Sequence, residues 1–418
     1  MSTDRRRVVV TGIGVVCALG VGRAEVWANA LAGRPGGAAI TLFDTTGFDV
    51  HMACEAAGFD PEQFVDKRVA RRADRATLLA LAAAQLASAD AGFSVEGEGL
   101  DVGCVFATGT GGNFVRDENH RTMIERSPDR ISPFAIPHSM GNVPAAQIAM
   151  DMGIRGPVFA TVTACAAGSD AIGTATAVIR RGDAEVMIAG GTDAMITPFW
   201  LAGFDAMRVL SHRNDDPAHA ARPFDADRDG FLIGEGSAAL ILETEERARA
   251  RGATIICEVA GYGASADAHH ITDPDPTGRS QARAMRWAIR DAGIEPSEIG
   301  YVNAHGGASR PGDPGEVTAI RLALGDDVAA RTPVSATKSM HGHCMGGTGA
   351  IEGALTAMAV LEGRIPPTIN LTAVDPACEG VDHVRDTARE VPLRAAMSSN
   401  NGLGGHNAAV VFRAWEDT

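Results

Sequence analysis

Ten short apolar runs rich in β-branched residues are spaced through the chain, near residues 7–16, 102–108, 157–163, 185–190, 237–243, 254–262, 299–304, 332–336, 394–399 and 408–413. They constrain the fold more than any other feature, because strands that are apolar on both faces must be covered on both faces. The segments between them can do the covering: 75–91, 143–152, 168–181, 281–292 and 349–361 are Ala-rich and predict helices that lie close on a sheet. Strands alternating with such helices give an α/β layered fold with mainly buried sheets. No Pro/Ser-rich linker divides the 418 residues, 45% of which are hydrophobic, so the chain can bury a large core. Its 49 glycines and 5% aromatic content suit close backbone packing better than an aromatic binding surface.

The second half restarts near Ala253, where ATIICEVAGYGAS echoes the opening VVVTGIGVV. Each half later shows a strand ending in small residues, VFATGTGG at 105–112 and YVNAHGGAS at 301–309. An internal duplication is expected, with half-units 1–252 and 253–418 and catalytic groups from both meeting at strand ends.

The net charge of −15 opposes nucleic-acid or anionic-membrane binding as a main activity, since the average surface field repels both partners. Seven scattered cysteines without a CxxC pair fit a reducing compartment. Arg5, Arg6 and Arg7 before the apolar run 8–21 resemble the start of a signal peptide, but Thr11 and the glycines at 12, 14 and 20 interrupt it. No stretch has the roughly 18–20 uninterrupted apolar residues of a membrane span. A soluble cytoplasmic protein is expected.

Cys165 sits where PVFATVTACAAGSDAIG turns from a strand into a helix. Unpaired N–H groups and the dipole at a helix start favour a thiolate, so Cys165 is a candidate nucleophile. A small buried apolar residue is the other reading of a free Cys, and position alone leaves both open. His305 in YVNAHGG follows a strand among small residues. His343 in ATKSMHGHCMGGTGAIEG sits at another strand-to-helix turn, with Lys338 upstream and Glu352 in the next helix. Neutral imidazoles can stabilise an enolate or thioester oxyanion, or shuttle a proton.

In order and spacing, TACAAGSDAIG, VNAHGGASRPGDPGE, KSMHGHCMGGTGAIE and SSNNGLGGHNA resemble the four signature regions of the β-ketoacyl synthase II and type II polyketide ketosynthase family. The central stretch LSHRNDDPAHAARPFDADRDGFLIGEGSAALILE and the opening strand also fit, so the resemblance covers essentially the whole chain. It implies a duplicated thiolase-like five-layered α-β-α-β-α fold, a homodimer or a heterodimer with a ketosynthase-like subunit, and an acyl-Cys intermediate. Substrates would arrive on the phosphopantetheine of an acyl carrier protein, with no other cofactor. It further implies that Cys165 accepts the acyl chain and that His305 and His343 promote decarboxylation of an extender unit. Lys338 and Glu352 would support them as an ionic pair, and the N–H groups of Cys165 and Asn401 would form the oxyanion hole. Phe231, Gly307, Ser309, Asn401, Gly402 and Leu403 would contact substrate.

The chain departs from the family in three places. HGGAS stands for the usual HGTxT, so Gly307 and Ala308 lack side chains where the family has a Thr near the pantetheine arm, and only Ser309 keeps a hydroxyl. His341 occupies the Thr position of TGH. Asn401 replaces an apolar Phe that gates the acyl pocket, which implies a wetter pocket and an unusual acyl substrate. Decarboxylative condensation in polyketide-type metabolism is the expected function. Cyclisation or acyl transfer without decarboxylation is the second reading, and a non-catalytic chain-length partner the third, which retention of Cys165 and both histidines opposes.

Weaker signals are given their ordinary meaning. DADRDG at 225–230 matches half a calcium loop, but Gly236 stands at the closing Glu position, and a structured loop is expected. TGIGVVCALG lacks the glycine spacing of a dinucleotide turn. His269 with His270, or His341 with His343, lack companion ligands for a metal. The basic run Lys67, Arg68, Arg71, Arg72 and Arg75 is a solvated face by default. The family resemblance places Lys67, Arg71, Arg72 and Arg208 where relatives contact an acidic carrier protein.

Overall fold

The computed structural model describes residues 5–416. The ten apolar runs form strands β1 (Val8–Cys17), β2 (Val102–Ala107), β3 (Val158–Phe159), β4 (Val186–Ala194), β5 (Glu235–Thr244), β6 (Cys257–Ala266), β7 (Ile299–Asn303), β8 (Pro333–Ser335), β9 (Ala395–Gly402) and β10 (His406–Arg413). The expected run at 157–163 keeps only two strand residues, because it lies at the sheet edge and the chain then turns toward Cys165. Five Ala-rich helices stand where the pattern places them: α1 (Arg75–Ala91), α2 (Val143–Met152), α3 (Ala167–Arg181), α4 (Arg279–Ala292) and, last in the chain, Thr348–Glu362. Gly312–Leu324 and Pro198–Ala206 are also helical, and helix-breaking glycines and prolines near their starts hid them from the pattern. We label Gly312–Leu324 α5 and Thr348–Glu362 α6.

Strand order runs β8-β7-β9-β10-β6 and then β1-β5-β4-β2-β3. Each set of five has the same arrangement. Its first strand lies at the junction, pairs antiparallel with the fifth, which pairs antiparallel with the fourth, and the remaining pairings are parallel. The two sets pair through Val9↔Glu258 and Val10↔Cys257. The echo between VVVTGIGVV and EVAGYGAS has a packing cause. A Cβ on Gly12 or Gly14 would lie 2.3 or 2.0 Å from the Ala87 or Ala83 carbonyl oxygen of α1, and one on Gly261 or Gly263 would lie 2.1 or 2.2 Å from the Ala288 or Ala284 oxygen of α4. Each glycine pair lets a helix rest directly on the backbone of its strand.

Helix α1 covers the outer face of the first set, and α4 that of the second, with α5 packed on α4. Helices α3 and α6 lie between, touching strands of both sets and each other. The result is the thiolase-like α-β-α-β-α layering. The central helices cross without side chains between them: a Cβ on Gly168 would lie 2.3 Å from the Ala350 nitrogen, and one on Gly349 2.5 Å from the Ser169 nitrogen. This brings the N-terminal turns of α3 and α6 together, and with them Cys165 and His343. Among the described residues, no helix is long and apolar enough to cross a membrane.

Candidate active site

The two central helices open on similar turns. A 3-10 turn, Ala164–Ala166, precedes α3, and another, Met345–Gly347, precedes α6. Each begins with a non-glycine residue in the left-handed region, Ala164 at φ 51° and Met345 at φ 46°. A third such residue, Ala308 at φ 53°, lies three positions after His305. Strain of this kind persists only where the surroundings fix it, and it clusters at functional sites.

One cavity of about 420 Å³ is lined by Cys165, His305 and His343 together, and also by Phe231, Gly307, Ser309, Asn401, Gly402 and Leu403. Arg208, itself at φ 57°, lines its mouth. Lys67, Arg71 and Arg72 do not line it. They are exposed on and beside the helix Lys67–Ala70, with Lys67 3.4 Å from Glu62 and the Arg72 guanidinium over the Phe134 ring. Arg75 departs from the solvated-face expectation, because it turns inward to a two-pronged ion pair with buried Glu235.

Cys165 is buried, and its thiol is pushed up to about 11. Burial is the main cause. The charge of Lys338 and the N–H of Leu403, which faces the sulfur, pull the other way. The helix start was expected to yield a thiolate, and here desolvation outweighs it. The resting sulfur is a thiol.

Both histidines are neutral. Burial, then the charge of Lys338, holds His305 and His343 well below the usual imidazole range. The Met345 N–H donates to His343 Nδ1 at 3.1 Å, so the ring proton sits on Nε2. The Asn401 N–H donates to His305 Nδ1 at 3.4 Å, a weaker bond that favours the same tautomer. The rings lie 5.4 Å apart, and Phe231 packs edge-on against His343 at 5.1 Å. The His343 backbone is clamped by its N–H to the Leu232 carbonyl and by the Gly234 N–H to its own carbonyl. At rest the Asn401 N–H is turned to His305, while the Leu403 N–H, expected only to contact substrate, faces the sulfur.

Lys338 and Glu352 form a buried pair at 2.8 Å, and Lys338 also donates to the His305 carbonyl. Asn400 donates to the second Glu352 oxygen at 2.6 Å. Burial raises Glu352 to about 7, against the pull of Lys338. His341 is fully buried, its Nε2 3.1 Å from Thr337 Oγ1 and its Nδ1 without a partner among the described residues. Burial lowers it to about 3.

Two further carboxylates went unremarked in the sequence. Glu316 accepts the N–H groups of His305 and Gly306 at 2.6 and 2.7 Å. Asp193 accepts those of Gly109 and Gly346 at 2.8 and 2.6 Å and the Thr108 hydroxyl at 2.8 Å. Both are buried and raised to about 7 by burial. The available signal was an acidic residue inside an otherwise apolar strand or helix face. The 225–230 segment is a structured loop tied inward by Asp225, which accepts the N–H groups of Thr372 and Ala373.

Residues 5–248 match the family description "Beta-ketoacyl synthase, N-terminal domain", and residues 256–372 match "Beta-ketoacyl synthase, C-terminal domain". A 3-oxoacyl-[acyl-carrier-protein] synthase 2 of Synechocystis sp. is 44% identical over 99% of both chains. Two solved structures are similar over nearly the whole chain. The ishigamide ketosynthase/chain length factor has a TM-score of 0.92 at 34% identity, covering 99% of this chain and 100% of that one. A type II PKS ketosynthase, solved with its acyl-carrier protein and bound to the hexaketide, has a TM-score of 0.89 at 32% identity, with coverage of 99% and 100%. The chain therefore belongs to the beta-ketoacyl synthase family, acyltransferases of thiolase-like fold that form carbon–carbon bonds by Claisen condensation.

Proposed function

We propose that the chain performs decarboxylative condensation on an acyl group held by Cys165, with half-unit 1–252 supplying the nucleophile and half-unit 253–418 the two histidines. The observation that carries this is two neutral imidazoles, each with its proton directed to Nε2, lining one cavity with a buried thiol.

In the first step Cys165 Sγ bonds to the acyl carbon, the carbon–sulfur bond to the carrier breaks, and the thiol proton leaves with the pantetheine sulfur. Because the thiol is protonated at rest, proton loss accompanies attack. The Cys165 N–H and, once it swings from His305, the Asn401 N–H stabilise the tetrahedral oxyanion. In the second step the carboxylate of the extender departs as CO₂ and its electron pair remains as an enolate. Nε2–H groups of His305 and His343 stabilise the enolate oxygen, so no strong base is required. The α-carbon then bonds to the acyl carbon and the Cys165 sulfur leaves as a thiolate, which takes up a proton from solvent. Lys338 acts through His305, holding its carbonyl while its charge keeps both imidazoles neutral, and Glu352 holds Lys338 in place.

Substrates arrive on the phosphopantetheine of an acyl carrier protein, docking on Lys67, Arg71, Arg72 and Arg208. An acidic carrier meets local positive charge there despite the net charge of −15. The exposed apolar side chains Phe159 and Val162, in and just after the edge strand β3, fit a dimer contact with a second ketosynthase-like subunit. A cytoplasmic setting and a role in polyketide-type metabolism complete the proposal. Asn401 in the cavity supports the latter, since an amide there does not favour a plain alkyl chain.

Intact-protein mass spectrometry after incubation with acyl carriers tests it, followed by product analysis with and without a malonyl carrier. The expected result is an acyl adduct on Cys165 that converts, with CO₂ release, to a product two carbons longer. An adduct released or cyclised without CO₂ loss would favour the tailoring reaction, and no adduct would overturn the proposal.

A further inference from the structure

Asn400 stands where β9 reaches the crossing of α3 and α6, and its side chain is fully buried. Its carboxamide joins the two helices. The NH₂ group donates to Glu352 Oε2 on α6 at 2.6 Å, and the amide oxygen accepts the Ser169 hydroxyl of α3 at 2.6 Å. A carboxylate only accepts, so the orientation of the amide is fixed. The glycine at 349 leaves room for it, since a Cβ there would lie 3.1 Å from Asn400 Oδ1. Asn400 does not line the cavity and so touches no reacting atom.

His305 is held at two points, and both lead back to Asn400. Its backbone carbonyl accepts from Lys338, which is paired with Glu352 Oε1 at 2.8 Å, and Asn400 holds the other oxygen of that carboxylate. Its ring Nδ1 accepts, at 3.4 Å, the N–H of the peptide bond that joins Asn400 to Asn401. The first hold sets where the ring stands, and the second sets which nitrogen carries its proton. The second bond is long, so a small displacement of β9 at Asn400 breaks it.

Resting on the condensing function proposed above, we infer that Asn400 is a positioning residue for His305, fixing the ring's place through Glu352 and Lys338 and its Nε2–H tautomer through the amide that follows. An apolar side chain of the same size would leave Glu352 Oε2 buried without this donor. The carboxylate would turn toward another donor and loosen Lys338, and the His305 proton would divide between Nδ1 and Nε2. Only rings with the proton on Nε2 would then stabilise the enolate oxygen and promote CO₂ loss. Acylation of Cys165 does not use that proton, and the Asn401 N–H released from His305 is free for the oxyanion.

Asn400→Leu in the full chain tests this by two measurements. In NMR with ¹⁵N-labelled histidine, the His305 signals are identified by their loss in His305→Gln. They are expected to show a bare Nδ1 and a protonated Nε2 in the unsubstituted protein, and an averaged pair in Asn400→Leu. CO₂ release from a malonyl carrier is expected to fall about tenfold with KM unchanged, while acylation of Cys165, read by adduct mass, changes by less than about twofold. Asn400→Asp keeps the shape and covers the case of a leucine variant that does not fold. Protonated, its carboxyl donates to Glu352 as the amide does. Ionised, it sets a second carboxylate against Glu352, which Lys338, His341 and Tyr301 also face. CO₂ release by Asn400→Asp should therefore fall at least about fivefold from pH 6 to 9, a range over which the unsubstituted protein changes by less than about twofold. Unchanged His305 nitrogens in Asn400→Leu, or a flat profile in Asn400→Asp, overturn the inference and leave the condensing function standing. Equal slowing of acylation and decarboxylation also overturns it, since the amide would then serve only the helix crossing. No CO₂ from the unsubstituted protein removes the proposed function and this inference together.

Discussion

The turns that open α3 and α6 share a backbone and divide the chemistry. Both are 3-10 turns entered through a strained non-glycine residue, Ala164 in one and Met345 in the other. One position after the strained residue, the first turn carries Cys165, whose N–H faces its own sulfur. The second turn carries Gly346 there, and its N–H is taken by Asp193. In the second turn the reactive group is instead His343, two positions before the strained residue, with Nδ1 pinned by the Met345 N–H. The two turns share one backbone form and differ in the placement of a single amide and side chain, which under the proposed function makes the first turn the acyl acceptor and the second a donor to an anion.

If the two turns divide the work in this way, damage to one should spare the other. Cys165→Ala should lower condensation by at least about 10³-fold while decarboxylation of the malonyl carrier continues, measured as CO₂ release against product formation. Loss of both would break the comparison. His343→Ala should do the reverse, lowering decarboxylation by about 10²–10³-fold while Cys165 still acylates, read by adduct mass. Gly349→Ala strikes the crossing that joins the turns. It should destabilise the fold by about 1–3 kcal/mol in denaturant unfolding and slow both steps together.

Smaller effects sharpen the picture. Reversing Arg71 and Arg72 to Glu should reduce carrier-protein turnover by roughly tenfold and leave free pantetheine thioesters unaffected, with equal loss on both pointing to misfolding. The smallest effect is one of pH. Both imidazoles are held well below 6.5 and so stay neutral as pH falls through that value. Decarboxylation by Cys165→Ala should therefore change by less than about twofold between pH 7.5 and 5.5. An acid limb near 6.5 would mean that a histidine takes up a proton there.

The strand and helix pattern was legible because burial on both faces leaves an unbroken apolar signature, and the GIG and GYG echo because close helix approach requires glycine. The groups proposed to react were found through motifs that lie far apart in sequence, and the crossing of α3 and α6 brings Cys165 and His343 together. What escaped was cooperative. The protonated state of Cys165 depends on the sum of its burial, and His341 depends on being enclosed by both half-units, so neither can be judged from neighbouring residues. Glu316 and Asp193 escaped because their partners are backbone amides, which every sequence has.

The burial that holds the Cys165 thiol near 11 also governs how the protein ages. At neutral pH the sulfur rests as the thiol. Peroxide and stray electrophiles react with thiolates, so the idle enzyme presents them with almost no target. Reactivity is drawn out by a thioester seated in the cavity, which makes the substrate itself the trigger and spares the nucleophile between turnovers.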